Sequence, residues 1–211
     1  MRVKVCGVTD PLEAADIAGL GVDAIGVVFA RSPRRVDRDT ARKIVAALPP
    51  MCQSVGVFVD EPPDRIKEIV DFCGLDIVQL HGVETPEVCN ALAPRVIKAF
   101  RIRERADIER LERYCGAVRG FLLDAWSPDA SGGTGKVFDW GAAREAVERF
   151  REPVILAGGL NPDNCRSAML KVRPWGLDVS SGVESAPGKK DLRKVSAFLD
   201  AVRDHFEILG I

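Results

Sequence analysis

The residues Val3-Lys4-Val5-Cys6, then Gly7-Val8-Thr9-Asp10-Pro11, and then Ala24-Ile25-Gly26-Val27-Val28-Phe29 decide how the chain is read. Both apolar runs are short and mostly continuous, as strands covered on two faces require. Between them, Asp10 can cap a helix N-terminus, and Pro11 suits the first helical position, where its missing N–H goes unneeded. A strand, a helix and another strand of this kind make one parallel βαβ unit.

The same unit recurs outward from this stretch. Further strands are expected over 54–59, 77–80, 96–100, 120–124, 154–157 and 177–179. Asp37, Thr85 and Asn161 are expected N-caps, with Pro86 and Pro162 following two of them. Ala41, Ile44, Val45 and Leu48 share a helical face, as do Ile66, Ile69, Val70 and Cys73. Leu192, Val195, Leu199, Val202 and Phe206 form a longer stripe. Strand starts recur roughly every 19 to 34 residues, so this is an α/β chain of eight strand–helix pairs. Eight consecutive units predict a (β/α)8 TIM barrel, a single domain over 1–211, although a doubly wound open sheet shares the alternation.

Composition narrows the function. Of 211 residues, 46% are hydrophobic and 29% charged, with a net charge of −1. The signs are interspersed, so no basic face predicts nucleic acid. No apolar run is long enough to cross a membrane. The chain opens directly on a strand-like run, so no signal peptide and a cytoplasmic location are expected. None of the six cysteines sits in a C-x-x-C, which predicts reduced thiols rather than disulfides. With His81 and His205 the only histidines, no metal site is expected, and nothing calls for a cofactor. Whether the chain is a monomer or a homodimer stays open.

In such a barrel the chemistry sits where strands end. Glycine-bearing loops follow the last three strands: Ser131–Lys136 with Gly133, then Gly158-Gly159, then Ser180-Ser181-Gly182. Glycine lets backbone N–H groups approach an anion, so these loops predict a phosphate site, the alternative being plain tight turns. Ser131–Lys136 lacks nucleotide-loop spacing, because Val137 follows Lys136; Pro128 through Gly135 reads instead as a long mobile loop over the active site, and no ATP is expected. Cys6 ends the first strand on the same face as Lys4, whose ammonium would favour a thiolate base; a buried structural thiol is the alternative. Asp124 ends an apolar strand, where a desolvated carboxyl could donate a proton, or could simply cap a helix or pair with a cation. Asp178 is expected to pair with Lys4 if the last strand closes against the first. Lys98 reads as a satisfied interior charge, with a Schiff-base lysine as the alternative.

Together these residues resemble a known family. Lys4-Val5-Cys6-Gly7-Val8-Thr9, Ser32-Pro33-Arg34-Arg35-Val36, Val78-Gln79-Leu80-His81-Gly82, Leu122-Leu123-Asp124, Ala157-Gly158-Gly159-Leu160-Asn161-Pro162 and Asp178-Val179-Ser180-Ser181-Gly182-Val183-Glu184 are similar to motifs of phosphoribosylanthranilate isomerases, in the same order. The resemblance implies a small-molecule substrate, N-(5'-phosphoribosyl)anthranilate, and an Amadori rearrangement in tryptophan biosynthesis. It implies Asp124 as general acid, Cys6 as base, and Arg34, with Arg35 as the alternative, on the anthranilate carboxylate. Gln79, His81 and Asp178 would line the substrate site. Another sugar-phosphate isomerase, synthase or aldolase, or a non-catalytic phosphate-binding barrel, are the competing readings.

Overall fold

The computed structural model describes residues 1–102, 104–125 and 140–209, with backbone alone at 125 and 204–209. Eight parallel strands close into a barrel in chain order: β1 (Arg2–Cys6), β2 (Ala24–Val28), β3 (Gln53–Phe58), β4 (Ile77–Leu80), β5 (Val96–Ile102), β6 (Gly120–Ala125), β7 (Val154–Ala157) and β8 (Gly176–Val179). The connections carry α1 (Pro11–Gly19), α2 (Arg38–Ala46), α3 (Pro63–Cys73), α4 (Pro86–Ala91), α5 (Trp140–Arg149) and α6 (Cys165–Val172), and α7 (Leu192–Leu209) ends the chain. A short 3-10 turn (Ser181–Val183) leads from β8 into a hairpin of β9 (Glu184–Ala186) and β10 (Lys189–Lys190).

The closed barrel, rather than an open sheet, follows from β8 pairing with β1, with Lys4 level with Asp178. Inside lie Ile97, Ala99, Leu122, Ile155 and Ala157, alternate residues of β5, β6 and β7, with Ile77 packed against them. The larger core joins the outward strand faces to the helices. Its helical stripes are largely those read from sequence, although Leu192 in the first turn of α7 is exposed and Phe198 is buried.

Two local expectations are corrected. Asn161 does not cap α6 directly: its Oδ1 accepts from the N–H groups of Asp163 and Asn164, forming a turn, and the helix begins at Cys165. The segment between β5 and β6 is a 3-10 helix, Arg105–Tyr114. Its buried Ile108 and Leu111 stand three residues apart, a spacing that a three-residue turn aligns on one side.

Lys98 on β5 is satisfied, as expected of an interior charge. Its Nζ lies 3.2 Å from Glu84 Oε2 and donates to the carbonyls of Gly82 and Ala99, at 2.9 and 3.0 Å. Glu84 also accepts from the backbone N–H groups of Asp60 and Gly82, so the pair ties the loops after β3 and β4 together. Glu84→Ala would leave a buried ammonium without its counter-charge. It should cost about 3–5 kcal/mol in urea unfolding, and a loss below about 1 kcal/mol would show that the carbonyls alone satisfy Lys98.

Candidate active site

Cys6 is the last residue of β1, buried at the rim of a cavity of about 380 Å³ at the C-terminal end of the barrel. Lys4 lies two residues back on the same face, and its Nζ donates to Asp178 Oδ1 at 2.9 Å, the pairing expected from closure. Burial pulls the Lys4 ammonium down, but the charges of Asp178 and Cys6 outweigh it and leave it raised. Cys6 departs from expectation. Burial pushes its thiol up, and Lys4 only partly offsets this because Asp178 carries an opposing charge beside it. The free protein therefore holds mainly the thiol.

Asp124 is the penultimate residue of β6 and lines the same cavity. The carboxyl is not desolvated against an apolar wall as expected: its side chain is 30% exposed, and Oδ2 lies 3.3 Å from His81 Nε2. His81 follows β4, two residues after Gln79 on the inward alternation, and the Gln79 amide nitrogen stands 3.4 Å from His81 Nδ1. If that nitrogen donates, Nδ1 is the acceptor and the ring proton sits on Nε2, towards Asp124. Gln79 is 1% exposed, and its Oε1 meets no hydrogen-bond partner among the described residues, leaving an acceptor turned to the cavity.

Arg34, on the loop after β2, lines the cavity, and Arg35 is exposed and does not. Its side chain runs directly over Gly7, whose φ of +77° and lack of a Cβ leave room for Arg34 Cδ. Arg34 Nε and Nη2 donate to Glu184 Oε1 and Oε2 at 2.7 and 2.6 Å. Glu184 Oε1 also accepts from Lys190 Nζ at 2.7 Å. Burial alone would raise the Glu184 carboxyl, but Arg34 and Lys190 hold it down to about 2.

The loops after β7 and β8 line the same cavity. Gly158 and Gly159 take φ values of +85° and +65°, left-handed conformations that favour glycine. Open space lies where a Gly159 side chain would be. Ser181 lines the cavity, and Ser180 Oγ donates to the Cys6 carbonyl at 3.0 Å, stapling β8 to β1. Gly182 does not face the cavity; a Cβ there would overlap the Leu160 carbonyl oxygen, so its glycine lets the two loops pack. Gly133 and the rest of the Pro128–Lys136 reading lie outside the described residues.

The cavity thus gathers Cys6, Arg34, Gln79, His81, Asp124 and Asp178 with the Gly158, Gly159, Ser180 and Ser181 rim. Sequence reasoning gave no role to Glu184 or to Arg101, which follows Ile97 and Ala99 on the inward alternation of β5 and also lines the cavity. A neighbouring cavity of about 400 Å³ shares Val59, His81 and Arg101 but reaches neither Cys6 nor Asp124. Among the described residues no group of three or more His, Cys, Asp or Glu is arranged to hold a metal, and no helix is long and apolar enough to cross a membrane.

The family model described as N-(5'phosphoribosyl)anthranilate (PRA) isomerase matches residues 3–201. The N-(5'-phosphoribosyl)anthranilate isomerase of Moorella thermoacetica is 50% identical over 203 residues, 96% of this chain and 90% of the relative. The crystal structure of phosphoribosyl anthranilate isomerase from Thermotoga maritima superposes with a TM-score of 0.88 at 42% identity, covering 97% of this chain and 99% of the other. A second isomerase structure, in complex with reduced 1-(o-carboxyphenylamino)-1-deoxyribulose 5-phosphate, is 40% identical with a TM-score of 0.85, covering 97% and 99%. The match runs along nearly the whole barrel, and this chain belongs to the N-(5'-phosphoribosyl)anthranilate isomerase family.

Proposed function

We propose that this protein isomerises N-(5'-phosphoribosyl)anthranilate to 1-(2-carboxyphenylamino)-1-deoxyribulose 5-phosphate in tryptophan biosynthesis, with Asp124 and Cys6 as acid and base. The observation that carries the assignment is the presence of both groups in one cavity with a cationic fork and a glycine rim at separate edges. A sugar linking a phosphate to an aromatic acid would span those edges and bring its reacting atoms between thiol and carboxyl.

The steps balance without a cofactor. Asp124 gives its proton to the furanose ring oxygen while the anilino nitrogen lone pair forms the C1'=N bond, and the ring opens to a cationic Schiff base. Cys6, as thiolate, takes the proton from C2', and the electron pair flows to that nitrogen to give an enolamine. Return of a proton to C1' and loss of one from the 2'-hydroxyl complete the ketone. His81 Nε2 stands 3.3 Å from the Asp124 carboxyl, outside hydrogen-bond geometry, and Gln79 Oε1 would accept from a sugar hydroxyl. The phosphate would take the amides of Gly158, Gly159 and Ser181, and Arg34 the anthranilate carboxylate. Asp178 would act through Lys4, keeping an ammonium beside the sulfur. A cytoplasmic setting suits the six unpaired thiols.

Cys6→Ala and Asp124→Asn should each lower kcat by about 10²–10⁴-fold in a fluorescence assay of substrate consumption, and near-normal turnover in either would remove that residue from its role. The pH profile gives an independent check. Because burial raises the Cys6 thiol, the base is mostly protonated near neutrality. The same reaction also needs a protonated carboxyl, and the two requirements cancel in the wild type, so the check uses Asp124→Asn. Its residual kcat/KM should climb by about tenfold per pH unit from about pH 6 to about pH 9, and a flat profile in that variant would show that the thiolate is not the base.

A further inference from the structure

Glu184 has no part in the steps above, yet it uses one whole edge of Arg34. Nε–H and one Nη2–H of the guanidinium go to the two Glu184 oxygens. Among the described residues the other terminal protons meet no partner, and one on Nη1 with the second on Nη2 forms the fork's other edge. Glu184 is itself fixed from the far side: Lys190 Nζ and the Gly188 N–H donate to Oε1, and Lys194 Nζ donates to its carbonyl. All three donors lie on the β9–β10 hairpin or the start of α7. The hairpin is in turn anchored over the loop after β1, through Thr9 Oγ1 to the Gly188 carbonyl and Lys190 N–H to Glu13.

We infer that Glu184 is the positioning residue for aromatic-acid recognition: it locks the Arg34 fork so that its free edge presents two parallel N–H groups to one planar carboxylate. The inference rests on Arg34 as the carboxylate's partner. Two consequences follow from the contacts. Arg34 carries a long side chain that would otherwise sample many rotamers, and the Glu184 clamp orders it before substrate arrives, so little ordering is left to binding. Arg34, Lys190 and Glu184 together carry one net positive charge, which a single carboxylate neutralises. The hairpin, remote from the reacting atoms, thereby becomes part of the substrate site.

The test compares two stable ligands by calorimetry: the reduced product analogue bearing the ring carboxylate, and the same compound with the carboxylate replaced by hydrogen. Wild type should prefer the first, and Arg34→Ala should abolish the preference. Glu184→Gln should reduce it by about tenfold or more, while affinity for the carboxylate-free ligand stays within about threefold of wild type. In turnover the loss should appear in KM rather than kcat. Because Glu184→Gln strands the buried Lys190 ammonium, the double variant Glu184→Gln/Lys190→Met repeats the measurement with that charge removed. Equal weakening of both ligands in the single and double variants would make Glu184 merely structural, and an unchanged preference would make it irrelevant to Arg34; either overturns the inference. If Arg34→Ala itself keeps the preference, the carboxylate binds elsewhere, and both the Arg34 reading and this one fall.

Discussion

The ion pair of Lys4 and Asp178 joins the closing strands of the barrel and lies beside the Cys6 thiol. Both charges are shielded from water, and neither could be held there alone, so β8 must meet β1 in the register that pairs them. That register also puts Ser180 within reach of the Cys6 carbonyl. Closure of the fold and the environment of Cys6 are thus one constraint. It explains why a thiol next to an ammonium is still raised: the ammonium is already shared with a carboxylate, and burial dominates what is left.

Around this centre, charge is distributed by edge. Towards β2 and the β9–β10 hairpin, two cations share Glu184 and leave a net positive fork. Towards β7 and β8 the cavity is lined by Gly158, Gly159, Leu160, Ser180 and Ser181. Towards β4 and β6 stands the Gln79–His81–Asp124 line. A cation suits a fixed, singly charged planar group, whereas left-handed glycines suit a phosphate approached by several amides.

Much of the fold could be read from the chain because buried parallel strands announce themselves as short apolar runs. Strand ends fall within a residue or two of expectation, and Asp10 and Asp37 cap their helices through the N–H groups expected of caps. Where the reading failed, a competing local interaction won. Asn161 spent its oxygen on a turn, and the three-residue spacing of Ile108 and Leu111 favoured a tighter helix. Cys6 and Asp124 were legible because strand ends point into the barrel mouth. Glu184 was not, since its partner Arg34 lies 150 residues away and nothing local marks a carboxylate that two distant cations require. The exposure of Asp124 was equally invisible, because it depends on how His81 and the neighbouring loops stand around it.

The central claim is one of placement: a thiol and a carboxyl flank the sugar. It is tested most directly by a crystal structure of this protein with the reduced product analogue bound. Cys6 Sγ should lie within about 3.5 Å of C2', with the Asp124 carboxyl at hydrogen-bond distance from the oxygen that closes the furanose ring. A ligand seated instead in the neighbouring cavity beside Arg101 and Tyr114, with its sugar out of reach of Cys6, would contradict the account.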